Sequence, residues 1–345
     1  MISEDNTMGL NILNTKKGSF ICLFFVLFFY GCSPTSTDQS LEHKLAGNAL
    51  GTKYHITYLG SEISNLEQSI DSILKEFNYG VSTYDSTSLI SHYNANKPIS
   101  AKDLKPGYKY LNTMISISQP IVVATNGAFD PSAAMLFRVY DQAKRVGRYL
   151  DSNAVNKALT SKGMIDCINY GEFSGYEVTN TQMNFNAIAK GYFVDLLAAF
   201  IDSRGSDNYM VEVGGEVRCL GNNAKGAAWS IGINRPVVGA AASDYFEVIS
   251  LSNMSMATSG NYKNFYTVDD KIIGHTFDPR TGQPVISDLK SATIMHKECA
   301  IADAYATACM VLGLDASKSL IEKDSSLSAY FIYEVDSTLV GVHVK

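Results

Sequence analysis

The chain has 345 residues, 46% of them hydrophobic and 18% charged, and its 28 Lys and Arg against 34 Asp and Glu give a net charge of −6. That is enough apolar mass for one large domain or two small ones, and it excludes disorder, collagen or coiled coil as the dominant architecture. A mildly acidic chain without a Lys/Arg run is also not a general nucleic-acid binder, which presents a basic face.

The N-terminus reads separately from the rest. Lys16 and Lys17 precede an apolar run from Phe20 to Tyr30. The run is too short to cross about 30 Å of hydrocarbon as a helix and has the form of the apolar core of a secretory signal. It stops at Tyr30-Gly31-Cys32. A small residue before a cysteine, closing a short apolar run, resembles the bacterial lipobox, with Phe29 where Leu is usual. The expectation is a signal peptide over 1–31, a lipidated Cys32 with a polar tether over 32–43, and a folded domain over 44–345. This places the protein in the bacterial cell envelope, lipid-anchored and facing the periplasm or exterior. An uncleaved anchor and a buried core segment are the competing readings.

Further along, Leu50 to Tyr58 alternates as a strand does. Ile63, Leu66, Ile70, Ile73, Leu74 and Phe77 recur at helical spacing, with Gly80 as the stop. Helices are expected over Tyr108 to Gln119 and over Ala187 to Ser203, the latter closed by Gly205. Then the character changes. Tyr209 to Leu220, Trp229 to Ile233, Tyr245 to Leu251, Lys271 to His275 and Ser291 to His296 are strand-like runs between turn residues. Ala300 to Leu312 is a small-residue helix ended by Gly313, and Tyr330 to Val335 with Thr338 to Val344 form a hairpin around Asp336-Ser337. Helices and strands mix without regular βαβ alternation, so the expected class is α+β: one compact domain with a largely antiparallel mixed sheet and packed helices. Of the six cysteines, Cys22 lies in the signal and Cys32 is the lipid site. Cys167, Cys219, Cys299 and Cys309 show no metal spacing and read as buried apolar residues, or as one disulfide of unassigned partners.

Several segments carry chemistry. In Ala300-Ile301-Ala302-Asp303-Ala304-Tyr305-Ala306-Thr307-Ala308, Asp303 and Thr307 share a helix face. A carboxylate and a hydroxyl among alanines suit a hard cation such as Mg²⁺, which takes oxygen ligands and shares phosphate oxygens. A polar helix face is the plain alternative. In Asn184-Phe185-Asn186-Ala187-Ile188-Ala189-Lys190-Gly191, a helix start offers free amides and Lys190 offers a charge toward a phosphate, or else an ordinary cap and a solvated lysine. Asn126-Gly127-Ala128-Phe129-Asp130-Pro131 is a turn leading into a helix. His275-Thr276-Phe277-Asp278-Pro279-Arg280-Thr281-Gly282 supplies an imidazole suited to proton transfer. Val213-Gly214-Gly215-Glu216 is a glycine pair that is not a dinucleotide fingerprint, since no helix follows.

Singly these segments are weak, but their order is specific. Leu50-Gly51-Thr52, Tyr84 with Ser88, the Gly-Ala-Phe-Asp-Pro-Ser turn, Ala-Ile-Ala-Lys-Gly-Tyr, Val-Gly-Gly-Glu, Thr258-Ser259-Gly260-Asn261-Tyr262, His-Thr-Phe-Asp-Pro-Arg-Thr-Gly and Ala-Asp-Ala-Tyr-Ala-Thr-Ala follow one another from about residue 48 to 313. This succession resembles the ApbE family of FAD:protein FMN transferases. The resemblance implies that FAD is a substrate and Mg²⁺ a cofactor. It also implies that FMN passes through its phosphate to a Thr or Ser hydroxyl of an acceptor protein, a membrane redox-complex subunit among the candidates, and that AMP is released. It assigns the metal to Asp303, Thr307 and the backbone carbonyl of Ala187. FAD contacts fall to Leu50, Tyr84, Ala128, Phe129, Asp130, Asn184, Lys190 and Phe277, and proton transfer to His275. Leu50 stands where the family has Met, Asn184 where it has Asp, and Asn186 where it has Gly. The rival functions are an FAD pyrophosphatase, with water replacing the acceptor hydroxyl, and a flavin-binding lipoprotein without catalysis. The tether makes a prediction of its own: Cys32→Ala releases the protein from membranes or leaves its precursor uncleaved. Membrane fractionation and the mass of the mature N-terminus check it, and a variant processed and fractionated like the parent sinks the lipid-anchor reading.

Overall fold

The computed structural model describes residues 41–97, 107–160, 181–260, 265–269, 271–274 and 276–345. Contacts divide the chain into a unit over Met1–Asp38 and a unit over Gln39–Lys345, and the second holds all the described elements. Its centre is an eight-stranded sheet in the order β1-β2-β3-β4-β7-β10-β11-β12. The strands are β1 Glu42–Ala49, β2 Thr52–Leu59, β3 Tyr209–Val213, β4 Glu216–Leu220, β7 Met254–Gly260, β10 Leu289–His296, β11 Ser328–Val335 and β12 Thr338–Val344. Each ladder of the sheet is antiparallel. Two separate ribbons, β5 Trp229–Asn234 with β6 Tyr245–Leu251 and β8 Phe265–Val268 with β9 Lys271–Gly274, complete the strands. The α+β expectation holds, and every ladder of the eight-stranded sheet is antiparallel.

Period-two alternation sends successive side chains of the central strands to opposite faces. From β7, β10 and β11, Ala257, Ile294 and Phe331 enter the main core, whereas Met256, Met295 and Ile332 point the other way. On that other side they meet Trp229, Ile231, Ile233 and Leu251 of the β5–β6 ribbon. The main core is roofed by helices: α1 Leu66–Val81, α2 Leu89–Asn94, α3 Tyr108–Ala124, α6 Ala189–Ser203, α7 Cys299–Leu312 and α8 Leu314–Ile321. A satellite cluster under α4 Ala134–Val146 and α5 Ser152–Leu159 packs Leu136, Tyr140 and Val155 around Phe277. Among the described residues no helix is long and apolar enough to cross a membrane.

Several expected boundaries shift. The single strand expected from Leu50 is a hairpin. Its turn is Leu50-Gly51, with φ of 51° and 75°, and β1 precedes it. The strand pairing therefore starts at Glu42, inside the expected tether. Polar Glu42, His43 and Lys44 disguise β1, an edge strand whose alternate residues are exposed. Tyr209 to Leu220 splits into β3 and β4 at Gly214-Gly215, because φ of 61° and 105° there turns the chain back. Gly80 lies inside α1, and α3 continues past Gln119 through Pro120, since Ile121 and Val122 are buried. The helix α4 follows the 126–131 turn as expected, whereas the helices α2, α5 and α8 and the strands β7 and β8 have no counterpart in the sequence pattern. The α7 helix and the closing hairpin at Asp336-Ser337 form as expected. Cys219, Cys299 and Cys309 are buried free thiols, and Cys167 lies outside the described residues.

One contact locks the helical layer. The α7 helix is apolar nearly all round, as a central helix must be. It lies against β7 and β10 on one side and α6 on the other. Its own N-cap residue, Glu298, makes no capping bond. Asp195 of α6 does the work instead: its Oδ1 accepts from Cys299 N at 3.0 Å and its Oδ2 from Ala300 N at 2.9 Å. Arg218 of β4 donates to Asp195 Oδ1 at 2.7 Å, tying the sheet to the same junction. Asp195→Ala removes both caps and leaves a half-buried guanidinium without its carboxylate. The expected loss is about 3 kcal/mol, seen as a melting temperature lower by several degrees. Adding Arg218→Met should recover part of it in the same thermal melt, because the stranded cation is then gone.

Candidate functional site

At one end of the sheet the β1–β2 and β3–β4 turns stand beside the N-terminus of α6, the C-terminal end of β7 and the face of α7 that carries Asp303 and Thr307. Together with the 128–131 turn, the β5–β6 ribbon and residues 276–279, they enclose a cavity of about 1270 Å³. That exceeds the volume of an ordinary small-molecule site, about 300–1,000 Å³, and admits a ligand the size of a dinucleotide. Leu50, Tyr84, Ala128, Phe129, Asp130, Asn184, Ala187, Lys190, Phe277, Asp303 and Thr307 all line it. His275 lies outside the described residues. Residues chosen from segments far apart in the chain therefore converge on one space.

The polar end is built on the α6–α7 crossing. A side chain at Gly191 would place its Cβ 2.4 Å from Cys299 O and 2.8 Å from Asp303 Cβ, so only glycine permits this approach. The Gly191 N–H then reaches Asp303 Oδ2 at 3.0 Å. In a regular helix start it would close a turn onto Ala187 O. Diverting it leaves the Ala187 carbonyl with no backbone hydrogen bond among the described residues. Thr307 Oγ1 lies 3.3 Å from Ser259 Oγ at the end of β7.

Lys190, in the first turn of α6, donates to Glu216 Oε1 in a short contact and lies 4.0 Å from Asp303 Oδ2. Glu216 was noted in the sequence only as the end of Val-Gly-Gly-Glu. The β3–β4 turn brings it in, and its Oε2 is buried without a hydrogen-bond partner among the described residues. Burial pushes the Glu216 carboxyl above the ordinary carboxylate range, Lys190 opposes this, and Asp303 adds to it. Burial raises Asp303 as well, against the pull of Lys190 and the Gly191 amide. For Lys190 burial acts against the charge, but Asp303 and Glu216 outweigh it and hold the ammonium protonated.

Part of the cavity lining is aromatic. Phe277 is buried, stacked on Tyr140 with centroids 4.5 Å apart and edge-on to Phe137 at 4.9 Å. The adjoining turn is closed by the two-bonded pair of Arg280 with Asp278. Tyr84 is 86% exposed at the cavity rim, and its hydroxyl accepts from Asn186 Nδ2 at 3.3 Å. An exposed ring on a cavity edge is free to cover a planar ligand. Asn184 Oδ1 accepts from Asn186 N at 2.8 Å, a turn that an aspartate there would make equally well. Asp130 Oδ1 accepts from Ser132 N and Oγ, at 2.8 and 2.6 Å. The Ser132 hydroxyl is thereby tied to a carboxylate.

Among the described residues no group of three or more His, Cys, Asp or Glu side chains gathers as a metal site. A cation here would take one carboxylate, one hydroxyl and one carbonyl, and complete its shell from ligand oxygens and water. Mg²⁺ binds beside phosphates in that way, through few protein carboxylates. Asp303, Thr307 and the unclaimed Ala187 carbonyl are hard oxygens of that kind, so the donor set fits.

The ApbE family model matches residues 50–331. The chain is 30% identical to the FAD:protein FMN transferase of Haemophilus influenzae, over 86% of this chain and 88% of that protein. It is 28% identical to the one from Vibrio cholerae, over 88% and 90% of the two chains. Among solved structures, the flavin transferase ApbE from Vibrio cholerae superposes with a TM-score of 0.74 at 26% identity, over 89% of this chain and 98% of that one. The apo flavinyl transferase ApbE of Pseudomonas stutzeri shares the fold, with a TM-score of 0.73 at 24% identity over 89% and 95%. With the family model matched over residues 50–331 and a relative 30% identical over most of both chains, this chain belongs to the ApbE family.

Proposed function

We propose that this protein transfers FMN from FAD to a Thr or Ser hydroxyl of an acceptor protein, with Mg²⁺ as cofactor and AMP as the leaving product. The observation that carries the reading is one cavity, of dinucleotide size, whose lining combines hard oxygens and a lysine with aromatic rings. The names of the relatives support the reaction. Asp303, Thr307 and Ala187 O would hold the Mg²⁺, which when bound neutralises charge on the pyrophosphate oxygens.

The chain's own groups then have distinct tasks. Lys190 adds a fixed positive charge beside the phosphates, in a site screened from water where such a charge counts for more. Phe277 and Tyr84 supply apolar faces for the ring systems, and the Asn184 turn orients the start of α6. The acceptor oxygen forms a bond to the FMN phosphorus while the bond from that phosphorus to the AMP oxygen breaks. Such transfers depend on positioning and charge more than on covalent help from the enzyme, so no serine of this chain is needed as nucleophile. The hydroxyl proton passes to a base, and His275 is our candidate. The envelope location and the lipid anchor at Cys32 belong to the same proposal: tethering would hold the enzyme beside membrane-bound acceptors.

The deciding experiment incubates the protein with FAD, Mg²⁺ and a candidate acceptor and weighs all products. Acceptor gaining the mass of FMN, with AMP released, supports transfer. Free FMN and AMP with an unlabelled acceptor would establish the pyrophosphatase instead, and tight FAD binding without turnover would establish a binder. Asp303→Ala should abolish Mg²⁺-dependent transfer while circular dichroism stays native, and full transfer at ordinary Mg²⁺ would remove Asp303 from the site. His275→Ala should keep FAD affinity within severalfold and lower transfer by roughly 10²–10⁴-fold, the worth of a positioned base. Affinity, melting temperature and transfer rate falling together would assign His275 a structural role.

A further inference from the structure

The polar end of the cavity holds a conflict. A cation bound at Asp303 and the Lys190 ammonium want the same carboxylate, and both groups are fixed within a few ångströms of each other. Lys190 Nζ is 4.0 Å from Asp303 Oδ2, outside hydrogen-bonding reach, because it is bonded to Glu216 Oε1. Glu216 is itself buried. Its side chain is only 4% exposed, against 32% for Lys190, and it stands at the start of β4, directly after the Gly214-Gly215 turn. The Gly214 position is also tight: a Cβ there would meet Thr52 Cγ2 at 2.7 Å and Lys190 Cδ at 3.4 Å. The turn therefore carries the lysine stem along its backbone. Asp303 has a hydrogen bond from Gly191 N on Oδ2, and none to Oδ1 among the described residues. The carboxylate is fixed in place yet left open.

From this geometry we infer that Glu216 is a positioning residue for the cation site: it anchors Lys190 away from Asp303, so that the carboxylate stays open to Mg²⁺ while the ammonium stays beside the phosphates. The role rests on the cation site proposed above, although Glu216 is not itself one of the proposed ligands. Without the anchor, Lys190 closes the gap to the remaining carboxylate and competes with the cation directly. Glu216 thus acts on metal affinity through Lys190, a route distinct both from coordinating the ion and from adding negative charge to the site.

Mg²⁺ affinity of the flavin-free protein, by titration calorimetry, tests this without any turnover. Asp303→Ala comes first and should abolish binding. If it does not, or if the parent binds no Mg²⁺, the cation site itself is wrong and this role falls with it. With that control in place, Glu216→Gln should weaken Mg²⁺ binding about tenfold or more, as the freed ammonium takes Asp303. Glu216→Asp keeps the charge but shortens the reach, so it should weaken binding too. Parental affinity in Glu216→Asp would overturn positioning in favour of charge alone. The double change Lys190→Met with Glu216→Gln removes anchor and competitor together and should return affinity to within about threefold of the parent. Failure to recover would mean that Glu216 touches the cation, and the inference would be wrong. Should Glu216→Gln not fold, Glu216→Asp and the double variant carry the same decision, and parental affinity in Glu216→Gln overturns the inference outright.

Discussion

The close crossing of α6 over α7 at Gly191 is the constraint on which the site depends. A methyl group at Gly191 would sit well inside van der Waals contact distance of Cys299 O, at 2.4 Å. Because it is absent, two helix starts come together and satisfy each other. Asp195 of α6 caps α7, and Asp303 of α7 accepts from the first turn of α6. Each helix thus repairs the unpaired amides of the other, which a helix N-terminus always presents. The exchange also frees the Ala187 carbonyl and places Lys190 over the Asp303 side chain. Packing and polar chemistry are here one arrangement.

The same junction concentrates charge where water is scarce. Lys190, Glu216, Asp303, Asp195 and Arg218 all lie at the meeting of α6, α7 and β4. Buried ion pairs add little net stability, because desolvation consumes most of the attraction, and losing one partner costs far more than the pair contributes. Such a cluster is therefore poor evidence of stabilisation and fits a site prepared for charged ligands. Its members are not equivalent. The Asp195–Arg218 pair spends both carboxylate oxygens on the fold, whereas Glu216 and Asp303 each retain an oxygen without a protein hydrogen bond among the described residues.

The positions where the sequence departs from the motifs it resembles differ in what they change. Leu50 occupies the first position of a two-residue hairpin turn with φ of 51°. A leucine is strained there by about 1–2 kcal/mol, as a methionine would be, so Leu for Met changes the shape of the side chain and leaves the backbone cost alone. Asn184 keeps the turn bond to Asn186 N that an aspartate would make, and gives up one negative charge beside the cavity. Asn186 has acquired a use of its own, donating to the Tyr84 hydroxyl at the rim.

What the sequence determined by itself was whatever repeats over a few residues. The alanine-rich run of α7 announced a helix that other backbones approach closely, and Asp336-Ser337 announced the last turn, since both signals lie within a dozen neighbouring residues. The order of the motifs pointed to the family and to eleven of the described residues that line the cavity, while Phe77, Phe137 and Tyr245 of the same lining carried no local signal for it. Local signals were blind wherever a distant partner decided the outcome. The β1 strand carries edge charges and pairs only because β2 folds back on it; Tyr209 to Leu220 reads as one strand until two glycines with positive φ reverse it. Nothing near Glu216 in the chain indicates Lys190, 26 residues earlier, and nothing near Asp195 indicates the amides of Cys299 and Ala300 more than 100 residues later. Those pairings are made by the crossing of two helices over one sheet, so only the tertiary structure could decide that Lys190 is held by a carboxylate and that, among the described residues, the Ala187 carbonyl has no backbone hydrogen bond and Asp303 Oδ1 no hydrogen bond.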